Sequence, residues 1–272
     1  FSLAIHWWLR LPIRFALDLH MAKMVFVLGA PMVPFLLAPQ ILLTIDRFVI
    51  NHALGLESLG LYSLAVTIAI AARLLPISIL GSYFPRYMTL IGAGKRNQVR
   101  ETGGKLQTTI VLILVMFIGF SMLMVEPVIR LVLPEYIPAL NAIRILLLSM
   151  YFYGTGLIGF YLHLGFKRMR RASVCMGVSI IAAIALDIYL VRYDISGVAT
   201  GTMLSFAIYS LLISYASKSI VPIHGLLRKS LAGAIILGLL YIAIYESSIE
   251  LAIGYFAGYS IVATILLWRM YR

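Results

Sequence analysis

Acid is scarce in this chain. Ten Asp and Glu are spread through 272 residues, and charged side chains of both signs make up only 12%. A soluble domain of ordinary composition carries about 25%. With 62% hydrophobic residues and a mean hydropathy of +1.01, the shortage of charge excludes a single water-soluble globule. The surplus apolar surface must face lipid. Cysteine is nearly absent too. The lone Cys175 excludes an intrachain disulfide and any zinc-type cysteine spacing. It lies in an apolar run and reads as a small core or lipid-facing residue. Apolar-polar alternation of period two is missing, which disfavours a transmembrane barrel. There is no Ser/His/Asp, His-Glu-x-x-His or paired-carboxylate catalytic signature. Gly92-Ala93-Gly94-Lys95 lacks the spacing and the flanking strand of a phosphate loop and reads as a linker. The expectation is therefore no enzyme, no cofactor and no metal.

What the chain does have is long apolar runs. A spanning helix needs about 20 mostly apolar residues. Eight segments qualify, at 24–45, 58–82, 108–125, 143–165, 172–191, 197–217, 230–246 and 250–268. The formal net charge is +12. In a soluble protein that would suggest nucleic acid. Here the basic residues fall in breaks between apolar runs, so no nucleic-acid partner is expected. The two chain ends and the breaks at 86–105, 167–171 and 218–229 hold 17 of the 22 Lys and Arg. The alternate breaks hold Asp46, Glu57, Glu126, Glu135, Asp194, Glu246 and Glu250 with only Arg47, Arg130 and Arg192. The positive-inside rule then puts both ends in the cytoplasm, with membrane lipids and their anionic headgroups as partners.

The expected fold is an all-α polytopic membrane protein with eight transmembrane helices. Residues 1–23 read as an amphipathic, interfacial lead-in rather than a signal peptide. Residues 192–196 read as a tight extracytoplasmic turn, with Asp194 and Gly197 supplying turn chemistry. Gly197 and Gly201, with Ser205 on the same face, form a small-residue ridge, and Gly254 and Gly258 form another. Such ridges let helices approach closely.

Charges at membrane depth are costly and therefore informative. Arg73 is the deepest, and helical spacing puts it near Tyr62, Ala65, Ala69 and Pro76 on a face of small residues. A guanidinium there suits bidentate recognition of phosphate or pyrophosphate; the alternative is a structural partner on a neighbouring helix. Asp187, near the outer end of its span, is a candidate for taking a proton or cation, or for bonding a neighbouring helix. Asp46 and Arg47 follow the first span and, being adjacent on a helix, point in different directions. Arg144 opens the fourth span, and His163 sits near its inner end. Pro31, Pro34 and Pro76 can bend the first two spans.

Three stretches carry a family resemblance. TIDRFVINHALGLESLGLYSLA (44–65) combines an Asp-Arg with a later Gly-x-Tyr-Ser-x-Ala. LGAPMVPFLLAPQ (28–40) is a proline-containing helix before that Asp-Arg, and 159–209 runs through a basic loop, a helix, a short turn and a further helix. In order and spacing the chain resembles the second half of polysaccharide exporters of the multidrug/oligosaccharidyl-lipid/polysaccharide flippase superfamily, in particular the O-antigen flippases. The resemblance implies that 24–217 is a second six-helix lobe and that 218–272 adds a cytoplasmic loop and an extra helix pair. It implies a bacterial inner membrane protein whose partner is a lipid-linked oligosaccharide carried on polyprenyl pyrophosphate, exported by alternating access for surface polysaccharide synthesis. Because one lobe cannot enclose a cavity, it also implies a missing N-terminal lobe or a second copy. Under this reading Arg73, Arg47, Tyr62 and Arg144 would bind substrate, and Asp187 and Asp46 would couple the cycle to an ion. The family often has Asn where this chain has Asp187. A multidrug exporter of the same superfamily and a membrane-embedded glycan polymerase or transferase are the alternatives.

Overall fold

The computed structural model describes residues 18–30, 33–220 and 226–246, with positions 254, 257, 258 and 261 besides. The described residues form helices and turns, without a strand. The helices are α1 (Leu19–Gly29), α2 (Val33–Ala53), α3 (Gly55–Gly92), α4 (Arg96–Val132), α5 (Leu140–Gly165), α6 (Met169–Leu190), α7 (Asp194–Ser217) and α8 (Leu226–Glu246). Short 3-10 turns at Pro134–Ala139 and Val191–Tyr193 lead into α5 and α7. Asp18 caps α1, its carboxylate accepting from the backbone N–H of His20 at 2.9 Å and of Met21 at 3.2 Å.

Five helical stretches are long and apolar enough to cross a membrane: Gly55–Gly92, Arg96–Val132, Pro134–Gly165, Met169–Ser217 and Leu227–Tyr245. Large apolar side chains such as Leu131, Ile181, Ile235 and Leu239 stay exposed, as lipid-facing residues do. The chain is thus an all-helical, multi-pass membrane protein. Of the eight expected spans, the first is divided between α1 and α2, and the last, at 250–268, lies almost wholly outside the described residues, as does most of the 1–23 lead-in.

The fourth stretch turns back on itself at Val191–Tyr193, so α6 and α7 form an antiparallel hairpin. Leu190 lies against Gly197, Asp187 against Gly201, and, at the far end, Arg171 Nη1 donates to Ser219 Oγ at 2.5 Å. The expected turn chemistry is half right. Asp194 takes the positive φ of 67° that the turn requires. Gly197 is instead inside α7, where a Cβ would strike the carbonyl oxygen of Leu190. The ridge thus acts in packing. Around Gly254 and Gly258 nothing lies within 4 Å of the Cβ position among the described residues.

α5 is the central helix: 89% of its most apolar window is buried, against 33% for α3. Its stretch from Gly154 to Gly159 explains this position. Gly154 faces Leu114 and Pro76, Gly156 faces Tyr209, and Gly159 faces Ser217 and Ile213. Three side-chain-free positions let α3, α4 and α7 close onto one helix. α8 joins the bundle through polar contacts. Gln107 Nε2 donates to Ser230 Oγ at 2.7 Å, Lys229 Nζ to Thr108 Oγ1 at 2.5 Å, and Tyr241 to Asn141 at 2.6 Å.

Hydropathy marks where lipid ends, and the helices do not stop there. The break between the spans at 58–82 and 108–125 is helix on both sides of one turn, and that turn falls at the expected linker, Gly92–Lys95. α3, at 38 residues, is about 57 Å long against a hydrocarbon core of about 30 Å. Arg, Gln, Glu and Lys are good helix formers, so nothing halts the helix at the interface. The turn is closed by the N–H of Gly94 on Ile91 O at 3.0 Å and of Lys95 on Leu90 O at 3.1 Å, with Gly94 at φ 67°. Likewise the expected outer loop at 126–142 is mostly the end of α4 and a 3-10 turn.

Candidate functional site

α2 turns one face inward over the stretch Thr44–Ile50. Asp46 and Ile50, one helical turn apart, are both fully buried. α3 brings Tyr62 to meet Asp46, on the same face as the buried Ala65, Val66 and Ala69. The Tyr62 hydroxyl donates to Asp46 Oδ2 at 2.5 Å, and Thr202 Oγ1, from α7, donates to the same oxygen at 3.3 Å. The backbone N–H of Arg47 donates to Oδ1 at 3.1 Å. Asp46 is therefore held by three donors, none of them a charged side chain.

Asp187 arrives from α6 and is also fully buried. Neither of its carboxylate oxygens has a hydrogen-bond partner. It lies close enough to Asp46 and Tyr62 to interact with both electrostatically. Gly201 of α7 packs directly on it: a Cβ at 201 would collide with Asp187 Oδ1. The four helices α2, α3, α6 and α7 thus enclose two carboxylates, a phenol and a threonine hydroxyl. A buried carboxylate without a partner is expensive. Such an oxygen-rich pair has the chemistry that could accept a proton or a small hard cation. Among the described residues no group of three or more His, Cys, Asp or Glu converges.

Of the other expected site residues, Arg47 adjoins this cluster through its backbone N–H, and Arg144 and Arg73 stand apart from it. Arg144 is nearly buried at the start of α5 and binds Glu126 of α4 at 2.5 Å; Glu126 also holds Arg130 at 2.8 Å. Arg144 is thereby committed to an internal ion pair through Nη2, although its Nε is buried with no partner. Arg73 sits at the edge of the inward face of α3, half-buried, rather than at its centre. Its guanidinium lies 5.9 Å from the Tyr153 ring centroid, and its Nε is buried with no partner. The Nε of Arg47 is in the same condition. Both retain unused donor capacity.

Sequence reasoning named Asp46, Tyr62 and Asp187 separately, and the fold brings them together across 141 residues. It gave Tyr62 to substrate, whereas the hydroxyl is committed to Asp46. It missed Thr202, and it read Gly201 as a packing residue without its carboxylate. No local signal distinguishes Thr202 from the other hydroxyls of α7; only the arrival of α2 does. No family model, curated protein or solved structure matches the chain.

Proposed function

We propose that the chain is one lobe of an exporter that flips a polyprenyl-pyrophosphate-linked oligosaccharide across the bacterial inner membrane by alternating access, with both ends cytoplasmic. Asp187 and Asp46 take up and release the coupling ion. The observation that carries the coupling role is Asp187: buried, without a partner on either oxygen, and beside a second carboxylate. An acid held in this state at membrane depth costs stability and is retained where its charge changes during a cycle. The substrate class rests on the resemblance of 28–40, 44–65 and 159–209 to O-antigen-type flippases. The free Nε groups of Arg73 and Arg47 suit the pyrophosphate.

The test uses the native polypeptide carrying this chain, reconstituted in liposomes with a fluorescent lipid-linked oligosaccharide. Asp187→Asn is expected to abolish the stimulation of flipping by an imposed proton or sodium gradient. Stimulation equal to wild type would remove Asp187 from the coupling role. Arg73→Ala is expected to abolish export while membrane insertion stays intact; normal surface polysaccharide in that variant would sink its substrate role.

A multidrug exporter is the second reading, and the same pair favours it, since two buried acids suit a cationic substrate. Efflux of a cationic dye, with no flipping of the lipid-linked sugar, would decide for it.

A further inference from the structure

α3 and α4 flank a cleft of about 460 Å³ beside the turn that joins them, at the end of the bundle that carries the basic breaks. α4 contributes Gln98, Glu101, Thr102 and Lys105, which share one face at helical spacing, and α3 contributes Arg86. The helix α4 changes character here: residues 96–109 are largely polar and the run from Ile110 is apolar. The cleft therefore lies at the level where a helix leaves hydrocarbon for the headgroup layer. Its charges are unequally committed. Lys105 is paired with Glu101 at 2.8 Å, while Arg86 is exposed and joins no ion pair among the described residues.

A second feature lies one step deeper. Tyr83 and Leu106 also line a narrow apolar crevice, whose wall includes Tyr87. Its free space is about 10 Å³, close to that of one oxygen-sized probe. The Tyr87 hydroxyl is buried and has no partner. A cation at headgroup level with an unsatisfied donor just inside it matches the order of groups in a glycerophospholipid, phosphate first and ester carbonyl next.

We propose that this cleft binds the headgroup of an anionic glycerophospholipid. Arg86 takes the phosphate, Gln98 and Thr102 supply further donors, and the Tyr87 hydroxyl takes an ester carbonyl. Glu101 weakens the site by holding Lys105. The inference is independent of what the protein transports.

The experiment is native mass spectrometry of the full chain in detergent, titrated with dioctanoyl phosphatidylglycerol, dioctanoyl phosphatidylcholine and inorganic phosphate. Phosphatidylglycerol is expected to bind most tightly. Arg86→Gln is expected to weaken it about fivefold, and Glu101→Gln to tighten it by a similar factor, because one cation near an anionic surface contributes on that scale. Tyr87→Phe is expected to weaken phosphatidylglycerol and leave inorganic phosphate unchanged. Equal affinity of wild type and Arg86→Gln would overturn the site. Inorganic phosphate binding as tightly as the lipid would overturn the lipid assignment in favour of a soluble anion. An unchanged lipid affinity in Tyr87→Phe would overturn the ester contact.

Discussion

Glu126 and Asp187 are both acids on long apolar helices, and their surroundings are opposite. Glu126 meets two guanidiniums, Arg144 at 2.5 Å and Arg130 at 2.8 Å, at the end of α4. Asp187 has no hydrogen-bond partner, and its nearest named charge is another carboxylate, Asp46. A paired acid spends its charge on fixing the junction between α4 and α5. An unpaired one leaves its charge available to a ligand. The sequence set Glu126 in an outer break just past its span and Asp187 just inside the outer end of its own, so their depths differ little. Partners separate the two: Glu126 is committed to an ion-pair junction, and Asp187 has no bond to commit it.

Three experiments break or sharpen this contrast. The largest effect on stability is expected at the paired acid. Glu126→Gln leaves Arg144, whose side chain is only 10% exposed, without its counter-charge, and should cost about 2–3 kcal/mol in detergent unfolding titrations. Replacing both residues, as Glu126→Gln with Arg144→Met, should recover most of that loss; no recovery would mean that the pair is not what holds the junction. A comparable but purely steric loss of about 2 kcal/mol is expected for Gly201→Ala, whose new methyl must displace Asp187. Gly177→Ala, on α6 with nothing within 4 Å, is the control and should be neutral or gain up to about 1 kcal/mol from helix propensity. Equal losses at the two glycines would remove the special contact at 201. The smallest effect belongs to the unpaired acid. Asp187→Asn should change stability by less than about 1 kcal/mol, or raise it, because no native bond is lost. A loss as large as that of Glu126→Gln would reveal a structural partner and end the contrast.

Much of this molecule was legible before any coordinates. Apolar runs of 17 to 25 residues force helices, because unpaired backbone groups are intolerable in lipid. The order of basic and acidic breaks predicted that 86–105, 167–171 and 218–229 share one end. The packing agrees, with Gly165 against Met88 and Ile91, and Arg171 against Ser219. The helices run on past the span ends at 82, 108 and 125, since hydropathy reports solvent and not backbone conformation. The candidate site was half legible. Cost at depth singled out Asp187 and Arg73, but the same argument could not rank Arg144, whose partner lies 18 residues away on another helix.

Solvent arithmetic, then, settles on its own that the chain is helical and enters a membrane, because those choices depend on each segment's polarity and length. Which helix occupies the centre, which acids are neutralised and which are left open depend on contacts between distant segments. α5 is central because Gly154, Gly156 and Gly159 admit three neighbours. Asp46 and Asp187 share a site because α2 and α6 close on the same face of α7. No local pattern encodes either outcome, since burial and pairing are properties of the packed bundle and not of any one helix.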